Sequence, residues 1–217
     1  MSTKAVFRQP ENRLHSKTLK IGKEKMNNVA DEVVMAHTKH WLEKAVIGLN
    51  LCPFAKAPYN KGQVRIAVSH AKHLDGFLED LDRELQHLLT TSPDELATTL
   101  LIHPHLFDDF LLFNDVTELA DQAILDNQAE GILQIAPFHP AFQFEGTNIN
   151  DVSNYTNRSP YPTLHLIRED DIARAAEAFP DASVIFERNI RLLEEMGEDG
   201  WQKLGIFNSL VHKSCSQ

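Results

Sequence analysis

The sequence predicts a single α/β domain built on a four-stranded, mostly parallel sheet flanked by helices. Four short runs rich in Val, Ile and Leu have the composition of strands, and segments with helical periodicity lie between most of them. Strands that alternate with helices along a chain are typical of a parallel sheet with helices on its faces. The 217 residues are enough for one domain with a sizeable core.

Apolar residues at helical spacing predict amphipathic helices over residues 30–48, 73–90 and 107–127. Asp31 and Glu32 suit the first turn of the first helix, and Gly48 is a stop signal. Two prolines and a glycine predict an irregular path for residues 49–63. Two further helices are expected over residues 170–178 and 181–197, with Gly197 ending the second.

The four predicted strands cover residues 64–70, 98–104, 131–138 and 162–169, with the third and fourth antiparallel. After the first helix, the element order βαβαββα is that of a thioredoxin-type layer, an analogy that rests on element order alone. A redox thioredoxin carries Cys-x-x-Cys after its first strand. This chain has Ser69-His70-Ala71-Lys72 there instead.

Charged residues are distributed unevenly along the chain. Residues 1–25 hold seven Lys or Arg and two Glu, which leaves 14 basic and 29 acidic residues in the remainder. An acidic body disfavours a nucleic-acid partner, because phosphate binding needs a basic surface. We expect residues 1–28 to be a disordered, dispensable basic leader, 29–201 to form the domain and 202–217 to be a short tail. Met26 is an alternative start.

Composition also indicates where the protein acts. The sequence has no run of about 18 apolar residues that could span a membrane, and its N-terminus lacks the apolar centre of a secretory signal. Its two cysteines, Cys52 and Cys215, are too few for a disulfide framework and suit a reducing cytoplasm. We therefore expect a cytoplasmic protein without a membrane or nucleic-acid partner.

The connection between the third and fourth strands, residues 139–161, is the first candidate for a functional site. It has no helical or strand period, and structureless connections of this length are usually functional or disordered. Aromatic residues punctuate it, which predicts that it packs against the domain. Its polar residues are His139, Gln143, Glu145, Asn154, Tyr155, Asn157, Arg158 and Ser159.

A histidine stands at the end of each of the first three predicted strands, at His70, His103 and His139, and proline follows the last two histidines. In open α/β sheets, ligands bind beyond the carboxyl ends of parallel strands. If these three strands are parallel, the histidines lie along one edge of the sheet, about 5 Å apart from strand to strand.

Three interpretations of Cys52, His103 and His139 stay open. The histidines could cap strands while Cys52 is a small buried hydrophobic residue. The three could instead bind zinc or iron with an open position for water. In the third interpretation Cys52 is a nucleophile, His103 or His139 its base, and Asn157 an orienting or oxyanion group. This last role requires a depressed thiol pKa.

Arg158 and Arg65 form a second set, expected to bind a carboxylate or phosphate together with Asn157 and Gln143. The alternative is that Arg158 pairs with Glu145 or Asp151 and pins the loop. Neither GxGxxG nor GxxxxGK[ST] occurs, so a conventional nucleotide-binding loop is not expected.

Several stretches resemble the bacterial family known as domain of unknown function 1415. They are NLCPFA (50–55), LLIHP (100–104), LQIAPFHPAFQFEGT (133–147), NYTNRSPYPTLHLIRE (154–169) and ERNI (187–190). The resemblance covers residues 30–201 and implies a single-domain cytoplasmic bacterial protein, but no particular activity. The recurring stretches contain Cys52, His103, His139, Gln143, Asn157, Arg158 and His165, whereas His70 and His105 lie outside them.

Two functions follow as hypotheses. The first is an enzyme that acts on a small anionic metabolite, with Cys52, His103 and His139 performing the chemistry and Asn157 and Arg158 holding the substrate. The alternative is a non-catalytic protein that binds a small ligand or a metal. The residues do not identify a cofactor.

Overall fold

The computed structural model describes residues 30–178 and 182–206. The described part begins with α1 (Asp31–Trp41), a π-helical turn (Leu42–Val46) and the short α2 (Lys56–Asn60). Next come β1 (Val64–Val68), α3 (Leu74–Thr90), β2 (Thr98–Ile102), α4 (Phe110–Asp126) and β3 (Leu133–Phe138). A 3-10 helix (Val152–Asn157) leads to β4 (Thr163–Arg168), α5 (Glu169–Ala178) and α6 (Ala182–Gln202).

The helices that the apolar periodicity predicts are present, with three differences. The first helix widens into a π turn after Trp41, and α2 occupies part of the segment predicted to be irregular. Gly197, at φ 63° and ψ −179°, is non-helical and ends the first piece of α6 as predicted, but a second helical piece follows it as far as Gln202. The expected leader, residues 1–28, and all but the first residues of the expected tail lie outside the described residues. No described helix is long and apolar enough to cross a membrane.

The sheet has the strand order β1-β2-β4-β3. Strand β1 pairs with β2 in parallel, whereas β4 is antiparallel to both of its neighbours. The prediction of a mostly parallel sheet is therefore wrong, since two of the three pairings in this mixed sheet are antiparallel. The predicted antiparallel pairing of the third and fourth strands is confirmed, and the thioredoxin-like order is not. Strands β1, β2 and β3 still run in one direction.

Helices cover both faces of the sheet. Leu81 and Leu85 of α3 and Phe113 of α4 pack with Leu101 of β2 on one face. Trp41 of α1 and Leu193 of α6 pack with Leu100 and Ile102 of β2 on the other. Successive side chains of a strand point to opposite faces, and because both faces are covered, Leu100, Leu101 and Ile102 of β2 are all buried.

Arg168, at the end of β4, ties α3 to the sheet. Its guanidinium is buried and donates to the carbonyl oxygens of Leu88 (2.7 Å), Thr91 (2.8 Å) and Leu96 (3.1 Å). The last carbonyls of a helix have no partner within the helix, so Arg168 satisfies groups that burial would otherwise leave unpaired. It forms no ion pair with a carboxylate in the described part of the chain.

Arg168→Met should lower the free energy of unfolding by about 3 kcal/mol, because several buried carbonyls lose a charged donor. Urea unfolding followed by circular dichroism measures this change. Arg174→Met is the matched control: the Arg174 side chain is 66% exposed and pairs with Asp171 one turn away, so a change below about 0.5 kcal/mol is expected. Equal losses in the two variants would contradict the role of Arg168.

Candidate functional site

The carboxyl ends of β1, β2 and β3 and the start of β4 meet at one edge of the sheet, here called the rim. His103 follows β2 directly, and its main-chain N–H donates to the carbonyl of Pro162, just before β4 (3.0 Å). His139 follows β3, and its N–H donates to the carbonyl of Asn157 (3.2 Å). The segment that enters β4 is therefore bonded to both histidines through the main chain.

The His103 ring is fully buried and both of its nitrogens are occupied. Nε2 donates to the Ala71 carbonyl (2.8 Å), while Nδ1 accepts from the main-chain N–H groups of Leu106 (2.7 Å) and His105 (3.2 Å). A carbonyl can only accept and an amide N–H can only donate, so these partners fix the neutral tautomer with hydrogen on Nε2. Burial lowers the pKa of His103 and so supports the neutral form.

His139, after β3, has the same arrangement of hydrogen bonds. Its Nε2 donates to the Phe107 carbonyl (2.7 Å), and its Nδ1 accepts from the Ala141 N–H (3.0 Å). In both cases the carbonyl belongs to the loop after the preceding strand, 32 residues earlier. Burial lowers the pKa of His139 as well. We call these two side chains the histidine clamps.

The clamps limit what these histidines can do chemically. Neither ring has a free nitrogen that could accept a proton without breaking a hydrogen bond to the main chain. The arrangement therefore favours the capping interpretation, and the catalytic roles of His103 and His139 stay predictions.

Cys52 lies in the segment between the π turn and α2. Burial raises the pKa of its thiol, although the N–H groups of Phe54 and Ala55 oppose that effect. This is the opposite of the depressed pKa that a nucleophile requires. The neighbouring Leu51 packs with Trp41 on the α1 face of the sheet, whereas His103 contacts Phe77 on the α3 face.

The structure therefore does not assemble the set predicted from the sequence. Cys52 belongs to one side of the sheet, and the rings of His103 and His139 pack on the other. Among the described residues, no group of three or more His, Cys, Asp or Glu side chains could hold a metal ion.

Arg188 and Asn189 hold the backbone next to Cys52, a contact the sequence did not reveal. Arg188 donates through Nη2 to the Leu49 carbonyl (2.8 Å) and through Nη1 to the Asn50 carbonyl (2.7 Å). Buried Asn189 donates to the Leu51 carbonyl (2.8 Å). The two motifs NLCPFA and ERNI are thus in contact. In the sequence, the only indication of this contact was that both motifs belong to the stretches that resemble the family.

The loop from residue 139 to 162 is held mainly by its own polar side chains. Buried Asn154 accepts from the Phe144 N–H and the Thr147 hydroxyl, both at 2.9 Å, and donates to the Asn148 carbonyl. Gln143 donates to the Thr147 carbonyl (2.6 Å), and the Asn157 amide makes a long contact to the Pro137 carbonyl (3.4 Å). Gln143 and Asn157, both predicted ligand contacts, thus have partners within the protein.

Arg158 is the cationic group of this loop. Its Nε donates to the Phe142 carbonyl (3.2 Å) and its Nη2 to the Ile149 carbonyl (2.6 Å). The guanidinium carbon lies 4.6 Å from the centre of the Tyr155 ring, and Tyr155 stacks on Trp201. Arg158 does pin the loop, but through carbonyls and not through the expected Glu145 or Asp151.

Arg65 belongs to a different part of the molecule. It lies on β1 and forms an ion pair with Glu84 of α3, with N–O distances of 2.7 and 3.0 Å. It lines a shallow groove of about 320 Å³ together with His87, Thr91 and Glu95. Arg158 precedes β4 at the rim and does not line this groove, so the structure does not unite the two predicted anion-binding arginines.

Two other histidines make local contacts. His165, in the middle of β4, bonds to the Thr98 hydroxyl (2.7 Å), and burial lowers its pKa to about 4. His70, after β1, forms an exposed pair with Asp31 at the start of α1. His165 thus links β4 to β2 within the sheet, and His70 contacts the first helix.

Comparison with known proteins identifies a matching family. The family described as a protein of unknown function (DUF1415) matches residues 33–203, most of the chain. No curated protein and no solved structure matches the chain. The resemblance seen in the motifs is thereby confirmed, and any function has to be inferred from the geometry.

His139→Gln tests the clamp through the pH dependence of stability. Because burial lowers the pKa of native His139, the unfolded chain gains a proton near pH 6.5 before the native protein does. The clamp's contribution is thus complete above that pH and falls by up to about 1.4 kcal/mol per pH unit below it. Glutamine offers the same acceptor and donor without titrating. Urea unfolding from about pH 7 to pH 5 should show a flatter slope in the variant, and identical slopes would contradict a neutral His139.

Asn189→Ala tests the contact that holds the backbone beside Cys52. In a Cys215→Ser background, loss of the Leu51 carbonyl's partner should speed thiol labelling of Cys52 about tenfold, since local opening becomes about 1.4 kcal/mol easier. Reaction with a colorimetric disulfide reagent measures the rate. Asn150→Ala, at an exposed position of the loop, should leave it unchanged. Unaltered labelling in Asn189→Ala would show that this contact does not govern access to the thiol.

Proposed function

We propose that this chain, which belongs to the DUF1415 family of unknown function, binds a small anionic ligand without catalysing a reaction. The ligand class is a carboxylate or a phosphate ester, and the contact residue is Arg158. This is the non-catalytic alternative from the sequence analysis, and the contacts of Arg158 and of the histidine clamps support it over Cys/His catalysis.

The observation that carries the proposal is the electrostatic state of Arg158. Its guanidinium is partly buried, and burial lowers its pKa. Glu198 acts on it only through space, and no carboxylate in the described ranges forms an ion pair with it. A partly desolvated cation whose hydrogen-bond partners are neutral carbonyls is not charge-compensated, so an anionic ligand would gain from binding beside it.

The donor geometry fits the same ligand class. A guanidinium has five N–H donors in a rigid fork. Two carbonyls, those of Phe142 and Ile149, accept from Nε and Nη2. The stack of Tyr155 on Trp201 supports the guanidinium from the side of α6. These two bonds fix the guanidinium, and an oxyanion would accept from the remaining N–H groups on Nη1 and Nη2. A donor that is already fixed lowers the entropy lost when the ligand binds.

A catalytic function would require larger changes in the described geometry. Cys52 would have to lose its proton despite a raised pKa. His103 or His139 would have to release a main-chain N–H to act as its base. Binding at Arg158 requires neither change.

Arg158→Gln is the direct test. With millimolar pyrophosphate or citrate against sodium chloride of equal ionic strength, we expect the wild-type melting temperature to rise by about 5 °C at a hundredfold excess over Kd. Arg158→Gln should melt at a lower temperature and lose the shift, because it lacks the charge.

Two further variants separate binding from folding. Arg191→Gln removes an arginine whose side chain is 68% exposed, and it should keep the full shift. Arg158→Lys keeps the charge without the fork, so it should fold and show a reduced shift. A wild-type protein that responds to neither probe, or an Arg158→Gln protein that responds as the wild type does, would refute the proposal.

A further inference from the structure

The outer face of α4 combines negative charge with uncovered apolar surface. Residues 84–157 contain twelve Asp or Glu and no Lys or Arg. Within α4 itself the carboxylates are Asp115, Glu118, Asp121 and Asp126, and Asp109 caps the helix. This surface therefore repels acidic partners and attracts basic ones.

Four leucines of the same helix point to solvent. Leu111 is 64% exposed, Leu112 62%, Leu119 41% and Leu125 48%, although the opposite side of α4 is packed into the core. Burial of even two of these side chains would give several kcal/mol. A concentration of exposed leucines on one helix is typical of a binding surface.

The leucines and carboxylates alternate along this face. Leu112 and Leu119 are seven residues apart, with Asp115 between them. Leu111 and Leu125 are fourteen residues apart, with Glu118 midway. A complementary segment would place apolar residues about seven apart and basic residues between them.

The chain itself contains such a segment. Phe7, Leu14 and Ile21 recur every seven residues, and the residues around them include Lys4, Arg8, Arg13, Lys17, Lys20, Lys23 and Lys25. We infer that the basic leader of this chain, residues 4–25, binds the outer face of α4 in the same molecule. Charge complementarity favours this occupant, and in a helical segment after Pro10 the spacing of Leu14 and Ile21 matches that of Leu112 and Leu119.

The leader can reach this surface. The first helix starts at the rim, where Asp31 pairs with His70 after β1. The start of α4 is at the same rim, where Phe110 packs against His139 after β3. Strands β1 and β3 are three strand separations apart, about 15 Å, and α1 and α4 cover opposite faces of the sheet, so the leader also has to pass over the rim. Residues 22–29 can span about 26 Å when extended, which exceeds the strand separation and leaves chain for this passage.

Zero-length carbodiimide cross-linking of the full chain tests the inference. An equal mixture of unlabelled and ¹⁵N-labelled protein is treated, digested and analysed by mass spectrometry. We expect most leader lysine products to join the α4 carboxylates within one chain, and we expect them to decrease with added salt. Mixed-isotope products would indicate docking between two copies and would overturn the intramolecular inference.

The leucines supply the matched variants. Leu112→Ser with Leu119→Ser should reduce the α4 cross-links about tenfold, because the apolar contribution is lost while every charge is kept. Val184→Ser with Phe186→Ser removes two apolar side chains of α6, 54% and 50% exposed, and should leave the yield unchanged. Cross-links spread over carboxylates outside α4, or a yield indifferent to the leucines, would refute the inference.

Discussion

Strand β4 lies between β2 and β3 and runs antiparallel to both, so it begins at the rim, where β2 and β3 end. The site depends on this arrangement. The loop after β3 must turn back over the rim before it can pair between its two neighbours. His103 and His139 stand at that turn and bond the incoming segment through their main-chain N–H groups. Their rings meanwhile hold the loops that follow β1 and β2. Each histidine therefore connects two segments at the rim. Its main-chain N–H bonds the segment that enters β4, and its ring bonds the loop after an earlier strand.

The histidine clamps change which residues can be assigned a chemical role. A histidine whose Nδ1 accepts from a main-chain amide has its proton acceptor in use, and burial keeps the ring neutral. Cys52 is held with a raised pKa on the other side of the sheet. The cationic group left for a ligand in the long loop is Arg158, supported by Tyr155 and two carbonyls. This is why binding of an anion fits the described contacts better than nucleophilic catalysis does.

Local features of the fold followed from the sequence, whereas long-range contacts did not. Apolar periodicity indicated the main helices, and proline after a β-rich run indicated that His103 and His139 end strands. The position of β4 between β2 and β3 depends on pairing between strands that are distant in the sequence. No local sequence pattern predicts that order. The same limit separated Cys52 from the histidines, since periodicity does not state which face α1 covers. The contacts of Arg188 with Leu49 and Asn50 join residues more than 130 positions apart, so only the joint recurrence of two motifs hinted at them.

The most direct test of this account is the protonation state of the two histidine rings in the native protein. Long-range proton–nitrogen correlation spectra of the imidazoles distinguish the Nε2–H tautomer, the Nδ1–H tautomer and the imidazolium form. We predict that His103 and His139 are both neutral at pH 7 with hydrogen on Nε2, and that they keep that form as the pH falls below the usual histidine pKa of about 6.5. An imidazolium at pH 7, or hydrogen on Nδ1 of either ring, would contradict the clamps and return these residues to the candidates for catalysis.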